Sequence, residues 1–452
     1  MSVTPENGMY LTMQDFKSWS DEFDSKFYRF KEGMQPSTEE DNSVGFTKNV
    51  TFVVTEACNL NCTYCYEHHK TTKRMTKEVA FKAVDMLFDK EKINGYFNHD
   101  RTSAIILDFI GGEPLLEIDL IDSIVEYFKF KAFELNSPWA TNYMISISSN
   151  GVLFLNDKVQ KFIQRNKNRV SIGITIDGNK ELHDKCRLFH DGRGSYDIVE
   201  KAVKELVKMN PNQQTKITLC HENIQYLFEA ITNVWELGIV CAYTNCVYED
   251  VWNIEDAKIL YREMKKLADY IVEHELYKSK YCSLFSEDIG DVVKDLDSNW
   301  CGGNGQMLAI GTDGKCYPCL RFMKYALKEG RKEQPVGCIS KGLDSKNENK
   351  FLLELKGVTL KTQSDDKCLN CPIGSGCSLC TGFNYDEFGT PNKRATYSCI
   401  THQARVMANT YYWNKLYKKL NIDKTMELNI PRDWALEIID EKEFDMLRGG
   451  NK

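Results

Sequence analysis

The sequence predicts an α/β protein: a partial, TIM-like (β/α)6 barrel followed by a small cysteine-rich domain. Two observations lead to this fold class. Between residues 48 and 275, short β-rich runs alternate with stretches that are apolar at helical spacing, which is the pattern of strand–helix units on a parallel sheet. After residue 300, cysteines become dense in segments that are poor in apolar residues, which is typical of a small domain stabilised by bound metal.

Six β-rich runs are the candidate strands of the barrel: 50–55, 104–110, 143–149, 171–176, 216–220 and 239–247. Six units are too few for the eight of a closed barrel, so we expect an open one. A helix is expected after a Thr76 cap, and a longer one from Ile254 to Leu276. We divide the chain into five parts. A prefix (1–47), which is a candidate peptide-docking element, precedes the barrel (48–275) and a helical bridge (276–300). The cysteine-rich domain (301–400) and a C-terminal helix and tail (401–452) follow.

Composition narrows the function classes. The chain has 452 residues, of which 42% are hydrophobic and 27% charged, as in ordinary globular proteins. The net charge of −7, without a basic tail, argues against nucleic acid as a partner. We expect a cytoplasmic protein with no membrane-spanning segment, because neither a long apolar run nor a signal-peptide pattern is present. In a reducing cytoplasm the 17 cysteines are expected to be metal ligands, reactive thiols or packing residues, not disulfides.

Cys58, Cys62 and Cys65 directly follow the first candidate strand, and the C-terminal ends of strands are where parallel barrels place their active sites. Three thiolates on one short loop can hold three irons of a [4Fe–4S] cube and leave the fourth iron open. The alternative is zinc, which normally takes four ligands in a structural site. His68 or His69 could supply the fourth ligand to zinc.

The Cys-x3-Cys-x2-Cys spacing, with the aromatic Tyr64 before the last cysteine, resembles the signature of the radical S-adenosylmethionine (radical SAM) superfamily. The resemblance implies that the open iron binds S-adenosyl-L-methionine. It also implies that an electron from the cluster cleaves this cofactor to a 5′-deoxyadenosyl radical, and that the protein orients and shields the reaction.

The second strand ends in Gly111, Gly112, Glu113 and Pro114. Two glycines let a backbone approach a ligand closely, and a carboxylate can accept a hydrogen bond from an ammonium group. Read alone, these residues are equally compatible with a turn. The resemblance to the radical SAM family implies that they contact the amino group of S-adenosylmethionine.

Two further groups are assigned to the cofactor by the same resemblance. Ser149 and Asn150, at the end of the third strand, are the candidates for a ribose contact, and an Asn-Gly turn is the alternative. Arg187 is the candidate for the cofactor carboxylate, because a guanidinium binds a carboxylate in bidentate geometry. A surface salt bridge is the alternative for Arg187.

A second cysteine system occupies residues 301–400, and its two Cys-x2-Cys pairs are also compatible with structural zinc. The order of its cysteines resembles the SPASM extension of radical SAM enzymes that modify peptides and proteins. The resemblance implies that two auxiliary [4Fe–4S] clusters are present, which makes three clusters in all. It assigns one cluster to Cys368, Cys371, Cys377 and Cys399, and the other to Cys301, Cys319 and Cys380.

The sequence departs from that pattern at two points. Cys377 and Cys380 are separated by two residues where three are more usual, and Met307 stands where some members carry a further cysteine. Either Cys316, Cys338 or Cys282 completes the auxiliary cluster of Cys301, Cys319 and Cys380, or one iron of that cluster stays open and can bind a substrate thiolate. Cys220, Cys241 and Cys246 are expected to be packing residues, and Cys186 has no assignment.

The resemblance favours a maturase that forms a Cys thioether in a ribosomally synthesised precursor peptide (a RiPP), of the sactipeptide or ranthipeptide type. The precursor peptide and a flavodoxin- or ferredoxin-type electron donor are the expected partners; catalytic residues beyond the radical SAM cluster are not assigned. Carbon–carbon crosslinking and epimerisation are alternatives. An anaerobic sulfatase-maturating enzyme is less favoured, because Leu320 stands where that family carries an acidic base after the cysteine. The non-enzymatic alternative is a metal-bound scaffold or electron carrier.

Overall fold

A computed structural model describes residues 47–93, 102–249, 251–299, 301–344 and 349–449. The predicted peptide-docking element in the N-terminal prefix lies outside these ranges, apart from Thr47. Within them, no helix is long and apolar enough to cross a membrane.

The described residues contain strands in both the predicted barrel and the cysteine-rich region. The strands are β1 (Thr47–Thr55), β2 (Ala104–Gly111), β3 (Tyr143–Ser149), β4 (Val170–Thr175), β5 (Gln214–Leu219), β6 (Cys241–Cys246), β7 (Tyr281–Cys282), β8 (Met307–Ile310), β9 (Lys315–Tyr317), β10 (Gly337–Cys338) and β11 (Gly342–Leu343).

Helices follow most of the strands and continue to the C-terminal region. They are α1 (Lys77–Phe88), α2 (Lys90–Ile93), α3 (Ile118–Glu134), α4 (Asp157–Arg165), α5 (Lys180–Cys186), α6 (Tyr196–Met209), α7 (Leu227–Glu236), α8 (Ile254–Glu273), α9 (Lys350–Gly357), α10 (Leu360–Gln363), α11 (Asp366–Leu369), α12 (Thr381–Phe388), α13 (Cys399–Leu420), α14 (Arg432–Leu436) and α15 (Glu441–Arg448).

The strands form one sheet in the order β11-β10-β9-β8-β1-β2-β3-β4-β5-β6-β7. Strands β1 to β7 are parallel to their neighbours, and helices lie between successive strands. The predicted partial (β/α)6 barrel is therefore confirmed, with β1 to β6 at the positions of the six candidate strands. The sequence did not predict that the cysteine-rich region extends the same sheet, since β8 pairs in parallel with β1 and is followed by the antiparallel β9 to β11.

Alternation along the strands separates two faces of the barrel sheet. On β2, Ile105, Leu107 and Phe109 are buried in the hydrophobic core beneath the helices. Asp108 lies between them on the opposite face, where it accepts a hydrogen bond of 3.0 Å from Thr51 of β1. Successive side chains of a strand point to opposite faces, so the apolar positions hold the helices and the polar positions line the barrel interior.

Helix α1 begins as predicted, because the Thr76 side chain caps it by accepting a hydrogen bond of 3.2 Å from the amide of Val79. In the C-terminal region, α13 packs along α8, and the Tyr411 hydroxyl donates a hydrogen bond of 2.6 Å to Asp269 of that helix. Asn409 of α13 also accepts from the amide of Ser286, at 2.7 Å. Helix α13 thus connects the barrel to the cysteine-rich region.

Candidate functional site

Cys58, Cys62 and Cys65 lie on the loop that leaves the C-terminal end of β1, and all three are half-buried. The segment 186–190, which begins at the last residue of α5, holds this loop from one side. Its contacts with the loop are Asn61 N to Leu188 O at 2.7 Å, Thr63 N to Cys186 O at 3.0 Å, and His190 Nε2 to Cys58 O at 2.8 Å. The backbone of the cysteine loop is therefore fixed by the protein itself.

The surroundings of the three thiols suit a bound metal. Burial raises the pKa of Cys58 to about 11, and burial also raises the pKa of Cys62. Two cations oppose this effect, since Arg187 lies beside Cys62 and Lys70 contacts Cys65. Buried thiols are protonated on their own, and iron would favour the thiolate form by its charge. The donor set therefore fits an iron–sulfur cluster.

The Gly111–Pro114 turn packs directly on the cysteine loop. A Cβ atom on Gly111 would lie 2.1 Å from the carbonyl oxygen of Thr55, and one on Gly112 would lie 2.4 Å from that of Ala57. The amide of Glu113 donates to the same Ala57 carbonyl at 2.9 Å. Only glycine allows this close approach of the two backbones.

The Glu113 carboxylate, which is buried, binds the end of β3. It accepts hydrogen bonds from Ser149 Oγ at 2.8 Å and from the amide of Asn150 at 2.7 Å. Burial raises the pKa of Glu113 to about 7, although these hydrogen bonds act to lower it. The Asn150 side-chain amide lies 3.8 Å from Cys58 Sγ. The structure thus brings four of the predicted site residues together.

Arg187 and Tyr64 meet at a carboxylate that the sequence analysis did not assign to the site. Arg187 Nε lies 2.7 Å from Asp177 Oδ2 in a buried ion pair, and the Tyr64 hydroxyl donates to the same oxygen. Burial acts to raise the pKa of Asp177, but Arg187, His183 and Tyr64 hold it below its ordinary value. Arg187 is therefore not in a surface salt bridge. Asp177 connects the cysteine loop to the end of β4.

In the second cysteine system, Cys301, Cys319 and Cys380 are close neighbours. Cys301 Sγ lies 2.7 Å from the Thr381 hydroxyl, and the amide of Phe383 donates to Cys380 Sγ at 3.4 Å. Burial is the main cause that raises the pKa of the Cys319 thiol, and the neighbouring Cys380 and Cys301 raise it further.

Cys368, Cys371, Cys377 and Cys399 line one cavity of about 200 Å³. These four are the thiols that the sequence analysis grouped in one auxiliary cluster. Among the described residues, no three Cys, His, Asp or Glu side chains are arranged to hold a single metal ion. In a [4Fe–4S] cube each thiolate binds a different iron, so its ligands lie further apart than those of one zinc ion.

The sequence model of the radical SAM superfamily matches residues 52–232, from β1 into α7. This segment is a radical SAM domain. The family uses S-adenosylmethionine and a [4Fe–4S] cluster. The second cysteine system, in residues 301–400, lies outside this match.

Three curated relatives extend the comparison. Radical SAM cyclopropyl synthase TigE of Paramaledivibacter caminithermalis is 23% identical over 76% of this chain and 69% of its own length. The serine-type anaerobic sulfatase-maturating enzyme of Bacteroides thetaiotaomicron is 27% identical over 59% of this chain and 67% of its own. The antilisterial bacteriocin subtilosin biosynthesis protein AlbA of Bacillus subtilis is 23% identical, with coverages of 64% and 58%. The radical SAM domain is thus related both to RiPP maturases and to sulfatase-maturating enzymes.

Solved structures share the fold. Native anSMEcpe with bound AdoMet superposes with a TM-score of 0.59 at 19% identity, covering 84% of this chain and 100% of that chain. Streptococcus suis SuiB bound to the precursor peptide SuiA gives a TM-score of 0.53 at 12% identity, with coverages of 87% and 94%. At these identities the likeness shows the fold alone, and it extends well beyond the radical SAM domain into the cysteine-rich region.

Five further cysteines have neighbours of their own among the described residues. Cys316 is buried on β9, with Cys338 of the paired strand β10 beside it. Cys282 is buried near Tyr412. Cys186 and Cys220 are buried with their Sγ atoms 3.8 Å apart.

Tyr66 and Arg321 connect the radical SAM loop to the second cysteine system. Tyr66 has both Cys65 and Cys319 near it, and the Arg321 guanidinium lies 4.4 Å from the centroid of its ring. Arg321 also forms an ion pair with Glu249, which follows β6. Neither Tyr66 nor Arg321 was singled out from the sequence, although each is within two residues of a predicted ligand, at Cys65 and Cys319.

Proposed function

We propose that this chain is a radical SAM peptide maturase that removes hydrogen from a residue of a ribosomally synthesised precursor peptide and forms a Cys thioether crosslink. One observation carries the proposal. Cys301, Cys319 and Cys380 are neighbours, Met307 stands where the resemblance places a further cysteine, and Tyr66 lies near both Cys319 and Cys65 of the radical SAM loop. A site with one unfilled iron position, close to the radical centre, suits the transfer of a thiolate to carbon.

The proposal assigns the ligands as follows. Cys58, Cys62 and Cys65 hold the radical SAM cluster. Glu113, Ser149, Asn150, Arg187 and Tyr64, with the Gly111, Gly112 and Pro114 turn, form the S-adenosylmethionine site. Cys301, Cys319 and Cys380 hold one auxiliary cluster, and Cys368, Cys371, Cys377 and Cys399 the other. A flavodoxin- or ferredoxin-type protein is the proposed reductant, and the cytoplasm the proposed location.

When bound, these groups would supply a 5′-deoxyadenosyl radical to take the hydrogen atom, an iron to hold the donor thiolate, and an acceptor for the electron released as the carbon–sulfur bond forms. The chain's own residues would orient the reacting groups and shield the reaction. Asp177 fixes Tyr64 and Arg187 beside the cysteine loop, and Glu113 holds the ends of β2 and β3 together.

The position of Met307 supports the proposal that one iron of this cluster has no thiolate ligand from the protein. Its Sδ atom lies 2.7 Å from where a Cβ of Gly302 would be, so Met307 packs directly on the loop that carries Cys301. Iron–sulfur clusters are held by cysteine thiolates, and the thioether of Met307 carries no negative charge. The thiols considered as substitutes lie elsewhere, because Cys316 is beside Cys338 and Cys282 is beside Tyr412.

Two alternatives differ in the bond that forms. The relative TigE is named a cyclopropyl synthase, which favours carbon–carbon bond formation as the second candidate. Sulfatase maturation is less favoured, because Leu320 follows Cys319 and packs partly buried in an apolar cluster where an acidic base is expected. A scaffold or electron carrier has no use for a radical SAM domain.

The test uses anaerobically reconstituted enzyme, S-adenosylmethionine, a reductant and a cysteine-containing peptide encoded near the gene. Mass spectrometry should show the loss of two hydrogen atoms from the peptide, together with one thiol that no longer reacts with an alkylating agent. Deuterium on the acceptor carbon should appear in 5′-deoxyadenosine. A product in which every thiol remains alkylatable would support the carbon–carbon alternative and contradict thioether formation.

A matched pair of variants tests whether one iron of this cluster lacks a thiolate ligand from the protein. Met307→Cys would supply a fourth thiolate, and we expect it to stop crosslinking while 5′-deoxyadenosine still forms. Met323→Cys places a thiol in the neighbouring apolar cluster, and we expect it to leave crosslinking intact. Equal crosslinking by both variants would remove the reason to place the donor thiolate at this cluster.

A further inference from the structure

Lys216 is a charged side chain inside the barrel that the proposed chemistry does not use. Along β5, Ile217 and Leu219 are buried in the core beneath the helices. Alternation therefore turns Lys216 toward the opposite face, which is the interior in a (β/α) barrel. Its strand register places it between Thr175 of β4 and Tyr243 of β6.

The charges around Lys216 come from two ion pairs. Arg187 is paired with Asp177 at the end of β4, and Arg321 is paired with Glu249. All four of these charges act on Lys216, which lies between the S-adenosylmethionine end of the site and the second cysteine system. Each of these two pairs is neutral as a unit, so Lys216 adds an unbalanced positive charge beside them.

Among the residues that the structure describes, no hydrogen bond or ion pair engages the Lys216 ammonium. The Lys216 side chain is exposed, so solvent and a ligand can both reach it. Burial, with repulsion from Arg321 and Arg187, lowers the pKa of Lys216. An accessible cation without a protein partner, next to two neutral ion pairs, offers a charge-complementary contact to an anionic ligand.

An aromatic surface lies next to this cation. Tyr243 and Tyr281 occupy the same face of β6 and β7, and their ring centroids are 5.6 Å apart. Each side chain is 45% exposed, unlike the buried aromatic residues of the barrel core. Strand β7 is at the edge of the sheet, so the tyrosine pair lines the open side of the barrel, through which an extended peptide can reach Lys216.

We propose that Lys216 is a specificity-determining residue that binds an acidic side chain of the peptide substrate, with Tyr243 and Tyr281 packing against the neighbouring peptide residues. The proposal rests on the proposed peptide-maturase function and deepens it, because it specifies a charge that the substrate must carry near the modified residue.

The experiment is selection of a random heptapeptide display library on the full-length, cluster-loaded enzyme with S-adenosylmethionine, under anaerobic conditions. We expect the wild type to enrich peptides that contain Asp or Glu about tenfold over their Asn- or Gln-containing counterparts, which corresponds to about 1.4 kcal/mol. Lys216→Arg should retain this preference, Lys216→Met should lose it, and Lys216→Glu should reverse it toward Lys and Arg.

Lys201→Glu provides the matched control, since it makes the same charge change on the exposed surface of α6, and it should select like the wild type. Thermal melting and iron content identify any variant that does not fold, and Lys216→Arg and Lys216→Met keep the test decisive if Lys216→Glu fails. Enrichment of peptides without an acidic preference would overturn the role of Lys216 and leave the peptide-maturase proposal standing. If no peptide is enriched, both proposals fail together.

Discussion

The two cysteine regions are supported by the protein to very different degrees. The loop of Cys58, Cys62 and Cys65 is held by backbone hydrogen bonds from segment 186–190, by the glycine turn and by the Asp177 ion pair. Among the cysteines around the 200 Å³ cavity, Cys368 lies on the four-residue helix α11, Cys371 and Cys377 lie in the loop after it, and Cys399 is the first residue of α13. The first region is held by the strand ends of the barrel, whereas three of the four cysteines of the second lie on a four-residue helix and the loop after it.

This difference predicts that the metal acts as a cofactor in the first region, and that in the second region it also stabilises the fold. A site whose backbone is fixed by a sheet can keep its shape without metal. A loop region with few regular hydrogen bonds gains its folding free energy from the ligands it binds. Four predictions break or sharpen this comparison, from the largest expected effect to the smallest.

Replacing Cys58, Cys62 and Cys65 together by Ala should abolish 5′-deoxyadenosine formation and leave the fold intact, because the barrel and not the cluster shapes this loop. The iron content should fall from about twelve to about eight atoms per chain, as expected for the loss of one [4Fe–4S] cluster of three. The measurements are chromatography of the nucleoside and iron and sulfide analysis. Cys241→Ala with Cys246→Ala, on β6, is the control and should keep all the iron. Persistent cofactor cleavage in the triple variant would show that the radical site lies elsewhere.

Removing iron from the wild-type protein with an oxidant and a chelator should open the cysteine-rich region to protease before the barrel. Cleavage sites mapped by mass spectrometry are expected first between residues 349 and 399, because the cysteines around the cavity there would lose the cluster that they bind together. Protection should return when the clusters are reconstituted. Early cleavage within 56–70 would contradict the comparison, since it would make the radical SAM loop equally dependent on its metal.

Asp177→Asn should destabilise the barrel by about 3–5 kcal/mol, the range for breaking a buried ion pair by removing one partner. The substitution leaves the buried Arg187 guanidinium without a counter-charge and weakens the anchor of Tyr64. Chemical denaturation of the apoprotein measures the loss. Asp191→Asn is the control because it breaks the exposed pair with Arg193, and it should cause no measurable loss. Equal effects of the two substitutions would show that the buried pair does not stabilise the site.

The pH dependence of stability should carry the signature of His183, whose pKa is lowered to about 4 by burial, together with Arg187. The unfolded chain binds the proton near pH 6.5, so between pH 6.5 and 4 the unfolded state holds more protons than the folded state. His183 therefore contributes stability above pH 6.5 that is lost as the pH falls toward 4, by up to about 1.4 kcal/mol per pH unit.

The measurement for His183 is the denaturation free energy of wild type and His183→Asn across this pH range. The advantage of the wild type should shrink as the pH falls. His183 accepts from the amide of Asp177 at 3.3 Å and lies 2.9 Å from Ser195 Oγ, so a constant advantage would indicate that only these hydrogen bonds matter and that the ring does not change its charge.

The sequence by itself determined the parallel barrel, because hydrophobic periodicity and strand–helix alternation are local properties of the chain. It also determined the family, since the spacing of Cys58, Cys62 and Cys65 is local, and it marked Glu113, Ser149 and Asn150 as strand-end groups. The structure brings these residues together, but their predicted contacts with S-adenosylmethionine remain predictions, as do the auxiliary clusters.

Only the tertiary structure decided which distant residues meet. The structure pairs Arg187 with the buried Asp177, and the predicted contact of Arg187 with the cofactor stays a prediction. The cysteine-rich region was expected as a separate domain, yet its strand β8 joins β1 in the barrel sheet across more than 250 residues of sequence. Lys216 reads as an ordinary strand lysine until two ion pairs from other strands and loops surround it. Strand pairing and burial of charge depend on contacts between distant segments, which local spacing and composition do not encode.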